Sequence, residues 1–238
     1  DTNGQPDIFV HDRQTDFIER VSTDSFGSQA NGINAVPTIS SDGRYVTFVS
    51  DADNLVNNDS NERRDAFIHD RQTGTTKRVS VRTGDLQSDG DSFSPSISGD
   101  GRYVAFKSKA SNLVDNDTNG KPDIFVHDRQ TGLTERVNVD SSDGQVTGGN
   151  SDWPDISGDG RYVAFRSEAN NLVDNDTNGQ PDIFVHDRET GTTEVVSVHS
   201  NGTQGNYDSQ SPSISSDGRY VAFKSEANNL VDGDTNGE

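Results

Sequence analysis

Apolar residues fall along this chain in short β-branched and aromatic clusters such as Ile8-Phe9-Val10, Tyr103-Val104-Ala105-Phe106 and Ile183-Phe184-Val185, separated by Gly, Asp, Asn and Ser. Clusters of this length bounded by turn formers predict many short strands. The run Ile124-Phe125-Val126 has no polar alternation, which predicts strands covered on both faces.

The pattern repeats. SDGRYVTF at Ser41 returns as GDGRYVAF at Gly99 and Gly158 and as SDGRYVAF at Ser216, at spacings of 58, 59 and 58 residues. A second block, PDIFVHDRQT, keeps the same rhythm from Pro6, Arg64, Pro122 and Pro181. In the unit that runs through Gly99, strands are predicted over 95–98, 102–108, 123–128 and 134–139, with tight turns at Gly99-Asp100-Gly101 and Thr131-Gly132. A four-stranded sheet packed against like sheets on both sides is a propeller blade.

The expected class is therefore all-β, a single domain over 1–238 of four repeats, each of about 58 residues and four strands. Units are expected at 37–94, 95–153 and 154–211, with 212–238 joined to 1–36. The chain opens on the third and fourth strands of a unit and closes on the first and second. Pairing these halves within one molecule, the favoured closure, builds a composite blade and removes two open sheet edges. The same complementarity admits exchange of halves between two chains or head-to-tail joining.

The alternation of SPSISxDGRYVAF with NLVDxDTNGxxDIFVHDRxTGxTxRVSV resembles the TolB-type, WD-like propeller repeats of secreted bacterial proteins, over essentially the whole chain. The resemblance implies a fold and a secreted, extracellular or cell-surface setting, the periplasm included, more than an activity.

Composition sharpens the partners. Hydrophobic residues make up 27% and mean hydropathy is -0.87, values that suggest disorder only where apolar residues are scattered. Forty acidic residues against 20 basic ones give a formal charge of -20, which disfavours nucleic acid and membrane surfaces. The absence of Cys excludes disulfides and thiolate metal sites. With no Met, no leader-like segment and no apolar stretch of spanning length, the chain reads as a mature segment or an excised piece.

Much of the acidic excess recurs in one loop. In DNDTNGKPD, Asp115, Asp117, Asn119 and Asp123 occupy positions 1, 3, 5 and 9 of a calcium-loop pattern, Gly120 the sixth, and the Lys121 carbonyl the seventh. Asp174, Asp176, Asn178, the Gln180 carbonyl and Asp182 repeat it. The twelfth position is Val126 or Val185, so the loop departs from an EF-hand and resembles the calcium loops of integrin-type propellers. Asp, Asn and Gly are also good turn formers, but ordinary turns need no carboxylate at every odd position. The copy with Asn57, Asp59, Asn61 and Asp65 carries Glu62 in place of Gly, followed by Arg63-Arg64, and is expected to bind weakly or stay empty. A fourth copy is split: Asp232, Asp234, Asn236 and the Glu238 carbonyl begin it, while Asp1, Asn3, the Gln5 carbonyl and Asp7 restate it. Several Ca2+ ions per chain are expected, calcium being favoured over magnesium by the many side-chain oxygens on a flexible loop.

His11, His69, His127 and His186 each precede an Asp, but neighbours in a strand face opposite ways, so a repeated packing role is expected. Arg44, Arg102, Arg161 and Arg219, with Arg13, Arg71, Arg129 and Arg188, are expected to pair with acids and link blades. No nucleophile elbow or phosphate loop is present, and the chain is expected not to be an enzyme. The segments between units vary most, and Trp153 and Tyr207 in or beside them are candidates to stack on a sugar or anchor a protein. The expected function is a calcium-binding propeller acting as a scaffold, adhesion or surface-assembly module, with itself or other proteins as partners. The alternative is a carbohydrate-binding propeller using the variable loops around Trp153, with a hydrolase the least favoured reading.

Overall fold

A computed structural model describes residues 2–234, and every regular element among them is a β-strand. In chain order these are β1 (Phe9–Asp12), β2 (Phe17–Arg20), β3 (Asn34–Ile39), β4 (Tyr45–Ser50), β5 (Asp65–Asp70) and β6 (Thr75–Arg78). A short ribbon of β7 (Val81–Arg82) and β8 (Leu86–Gln87) leads to β9 (Ser92–Ile97), β10 (Tyr103–Ser108), β11 (Asp123–Asp128) and β12 (Leu133–Arg136). The chain continues through β13 (Ser151–Ile156), β14 (Tyr162–Ser167), β15 (Asp182–Asp187), β16 (Thr192–Val195), β17 (Ser209–Ile214) and β18 (Val221–Ser225). No helix of the described residues is long and apolar enough to cross a membrane.

Three complete antiparallel meanders result: β3–β6, β9–β12 and β13–β16, here blades 1, 2 and 3. Their central register is the same in each, running from Tyr103 opposite Asp128 to Ser108 opposite Asp123 in blade 2. The apolar clusters explain the burial. β5, β11 and β15 are buried at every residue because sheets cover both of their faces. Ile124 and Val126 of blade 2 pack with Val163, Phe165 and Phe184 of blade 3, and Ala66 and Ile68 of blade 1 pack with Val104, Phe106 and Phe125 of blade 2. Within each blade two phenylalanines stack at about 6 Å, as Phe106 does on Phe125 (5.9 Å).

Neighbouring blades are also locked at their turns. Gly101 has φ +73°, and a Cβ there would stand 2.1 Å from the ring of Tyr45 in the preceding blade; Gly160 meets Tyr103 and Gly218 meets Tyr162 in the same way. Only glycine lets the tyrosine sit down on the turn.

Two expectations change. The units predicted to begin at Pro37, Pro95, Pro154 and Pro212 cut through strands, because β3, β9, β13 and β17 each cross the proline on a bulge. Proline has no N–H for the ladder, and the residue before it (Val36, Ser94, Trp153 or Ser211) takes a φ near +50°. The composite blade is the second correction. β1–β2 and β17–β18 are separate two-stranded sheets, unpaired with each other among the described residues. The first packs on blade 1 through Ile8 and Val21 against Val46 and Phe48, the second on blade 3 through Ile214 against Ala164 and Val185. Tyrosine-on-glycine seats join blade 1 to blade 2, blade 2 to blade 3 and blade 3 to the β17–β18 sheet, whereas Gly43 has no tyrosine seated on it, so among the described residues this joint is absent between the two halves.

Candidate metal centre

The acidic loops join the second and third strands of each blade. Their asparagine closes an Asx turn: Asn61 Oδ1 accepts from Arg63 N (3.0 Å), Asn119 Oδ1 from Lys121 N (2.8 Å) and Asn178 Oδ1 from Gln180 N (2.8 Å). That turns the NH2 group inward. Asn61 Nδ2 donates to Asp65 (2.9 Å), Asn119 Nδ2 to Asp123 (3.1 Å) and Asn178 Nδ2 to Asp182 (2.7 Å). The fifth position is thus a donor to the ninth, where the calcium-loop reading made both of them ligands.

Positions 3 and 9 form a buried carboxylate pair. Asp65, Asp123 and Asp182 are fully buried. Ser80 and Ser88 donate to Asp65 (2.6 and 2.9 Å), Asn138 Nδ2 to Asp123 (2.6 Å), and Ser197 to Asp182 (2.5 Å). Burial raises the pKa of Asp59, Asp117, Asp176 and Asp182. Burial, reinforced by the Asp117 charge, pushes Asp123 up to about 6 against its hydrogen bonds and Arg136.

A protein cation occupies the expected metal position in most copies. Arg78 Nη1 donates to Asp59 (2.8 Å) and Asp65 (3.0 Å), Arg136 Nη1 stands 3.8 Å from both Asp117 and Asp123, and Arg20 Nη1 donates to Asp7 (3.1 Å). These arginines end FIER, TTKR and LTER on β2, β6 and β12, and the matching strand of blade 3 is TTEV, ending in Val195. Comparing the fourth strands of the repeats would have revealed this column, which loop-by-loop reading passes over.

The first position stands apart. Asp115 is exposed and pairs with Arg82 (2.7 Å), and Asp174 is exposed as well. Lys121 and Gln180 give their backbone N–H to the turn. In the split copy, Asp7 also accepts from Ser22 (2.7 Å) and Gln29 (3.0 Å), and Asn3 Oδ1 accepts from Gln5 N (2.9 Å). Asp232 lies 3.6 Å from His199. Asp234 is the last described residue, and Asp1, Asn236 and Glu238 lie outside the described range. Among the described residues no three His, Asp or Glu side chains converge as a metal site.

The remaining candidates form a framework. His69, His127 and His186 are buried, each with Nδ1 2.9 Å from a threonine hydroxyl, Thr76, Thr134 or Thr193. Each hydroxyl donates onward to a carbonyl of the preceding unit, Thr23, Val81 or Val139, so it accepts from an Nδ1–H. Burial lowers these histidines' pKa. Arg44, Arg102 and Arg161 bind Asp70, Asp128 and Asp187 through two nitrogens each, within a blade where links between blades were expected. Those bonds hold Asp70 down to about 2. Arg71 and Arg188 do link blades, to Glu19 and Glu135 (2.5 Å each). Arg129 and Arg188 lie over Tyr45 and Tyr103 of the preceding blade at 4.1 and 4.3 Å.

Trp153 sits on β13 itself. The first strands β3, β9, β13 and β17 pack side by side, and Trp153, 41% exposed, lines with Val36, Ser94 and Ser211 a shared groove of about 370 Å³. Tyr207 is exposed in the connection before β17 and is not among the residues lining that groove.

No protein-family model matches the chain, and no curated protein does. Solved structures do. TolB from Acinetobacter baumannii superposes with TM-score 0.54 at 19% identity, over 90% of this chain and 42% of that one. Oligogalacturonate lyase from Vibrio parahaemolyticus gives 0.53 at 15% identity, over 95% and 55%. A prolyl endopeptidase gives 0.52 at 16% identity, over 82% and 26%. The chain has a TolB-like propeller fold and spans about half the length, or less, of these neighbours. The expectation, drawn from missing motifs, that the chain is not an enzyme is overturned, because a lyase and a peptidase carry the same fold.

Proposed function

We propose that this chain is a structural propeller module that works by end-to-end assembly, β18 of one copy pairing with β1 of the next to complete a blade. The carrying observation is a residue-for-residue complementarity between two open edges. Transposed along the repeat, the interior register sets Tyr220 opposite Asp12, Ala222 opposite Val10 and Phe223 opposite Phe9. Phe9 is 56% exposed, whereas its counterparts Phe67, Phe125 and Phe184 are fully buried. Tyr220 is 59% exposed, and Gly43 is the one Asp-Gly turn of a complete blade with no tyrosine seated on it. In the completed blade Tyr220 reaches Gly43 of the next copy, and Arg219 takes Asp12 as Arg102 takes Asp128. Phe9 is only partly exposed and Phe223 half-buried, so covering each contributes about half of a full burial, roughly 1 kcal/mol. The secreted or surface setting implied by the repeat resemblance suits such a module.

Sedimentation velocity across protein concentration tests this. Wild type is expected to grow with concentration, while Arg219→Asp alone and Asp12→Arg alone stay monomeric. A mixture of the two variants assembles again, because each supplies the partner charge the other lacks. A monomer at all concentrations overturns the proposal, as does undiminished assembly of the single variants.

A second reading, carbohydrate binding, is favoured by one observation, the half-exposed Trp153 ring in the shared groove. Glycan-array signal lost in Trp153→Ala would support it.

A further inference from the structure

We propose that the acidic loop of blade 3 binds one calcium ion through Asp176 and Asp182, in the place that an arginine fills in the other three copies. The proposal is independent of end-to-end assembly. Asp182 is fully buried and Asp176 is 9% exposed. Asp176 Oδ1 is sealed from solvent and accepts no hydrogen bond. Around the pair stand Asn178 and Ser197, which donate to Asp182, and Gln204, whose side chain reaches Asp176. Asp208 adds a further negative charge near Asp182. Arg166, the nearby cation on β14, is engaged with Asp208 (3.4 Å) and Glu168 (3.1 Å). Val195 presents an aliphatic side chain where Arg20, Arg78 and Arg136 present a guanidinium.

Two carboxylates taken out of water side by side need a positive charge or a proton. The repeat supplies the charge covalently elsewhere and omits it here, so the vacant role fits a mobile cation of the same sign. The two carboxylates offer only oxygen ligands, which selects a hard cation, and no Cys or His contributes; the Asn178 and Gln204 amides that reach Asp182 and Asp176 act as hydrogen-bond donors and not as ligands. Calcium takes six to eight oxygens on a flexible frame. Asp174, exposed at position 1 of this loop, supplies a third carboxylate by swinging inward, and water completes the shell. Gly179 at φ +65° provides the turn. Two buried carboxylates, with the rest of the shell left to Asp174 and water, place the affinity with extracellular calcium modules, at about 10⁻⁴–10⁻³ M.

Calorimetric titration of calcium into chelator-stripped protein tests it, run in the Arg219→Asp background so that assembly does not contribute. One ion per chain is expected. Val195→Arg should abolish binding and, without calcium, melt above its parent, which shows that the variant folds. Asp176→Asn should weaken binding at least tenfold, and Arg78→Val should create a second site. Calcium should raise the melting temperature of the parent and leave Val195→Arg unmoved. The proposal is overturned by absence of binding at millimolar calcium, by binding undiminished in Val195→Arg, by several equivalent ions per chain, or by magnesium binding as tightly.

Discussion

Asp123 has no exposed surface, and its pKa of about 6 lies well above the ordinary 3.8 because burial outweighs the amides of Asn138 and Asn119 and the guanidinium of Arg136. Between those two values the folded chain keeps a proton that the unfolded chain has shed, so this group's contribution to stability falls as pH rises through the window, by about 3 kcal/mol in all. Urea unfolding of wild type and Asp123→Asn should show the wild type losing ground by that order between pH 4 and pH 7; a difference constant with pH would contradict it. His69, His127 and His186 act oppositely. Their folded pKa lies below 6.5, so the neutral rings support the fold above 6.5 and that support is lost as pH falls through their folded values. NMR titration should find all three imidazoles titrating below 6.5. The packing role of these histidines was legible in the sequence from their fourfold recurrence. The direction of the loop side chains was not: an Asx turn and a cation loop demand the same Asp, Asn and Gly, and only the arginine column three-dimensionally opposite tells them apart.

At the scale of strands and turns, the tyrosine seat makes equivalent glycines unequal. Gly160→Ala places a methyl into the Tyr103 ring and adds a left-handed φ of +76°, whereas Gly43→Ala at φ +72° meets nothing nearer than Arg71 Nη1 at 3.5 Å. The first is expected to cost about 3 kcal/mol or more and the second about 1 kcal/mol, measured as melting shifts of the monomer. Equal losses would mean that φ alone matters and that the seats do not hold the blades. Strand identity and order were readable from cluster, turn and period. The starts of the first strands were not, because proline reads as a strand boundary; here it marks a bulge, with Ser92 and Phe93 already paired to Ser108 and Lys107 before Pro95.

The molecule as a whole is a row of like sheets in which each contacts its neighbours, so stability grows along the row and the ends carry the unmet contacts. Sequence complementarity of the two halves was plain, but closure depends on the angle between blades, a packing property spread over many contacts that no residue pattern encodes. The excess of 40 acidic over 20 basic residues then sets the conditions for the ends to meet. Two bodies of formal charge -20 repel over a Debye length of about 30 Å at 0.01 M salt and about 10 Å at 0.1 M, while the apolar contact of the covered Phe9 and Phe223 is not screened. Raising sodium chloride from 0.01 to 0.2 M should therefore strengthen assembly of the wild type, read as an increase in weight-average mass by light scattering. Tyr220→Ala should remain weak at every salt concentration, because it empties the seat on Gly43 without changing charge. Gly43→Ala should weaken assembly although it lowers the monomer's melting far less than Gly160→Ala does, which links the turn to the interface. Assembly that dissolves on adding salt would mean that ion pairs, and not buried aromatic strands, hold the joint, and the completed-blade geometry would have to be abandoned.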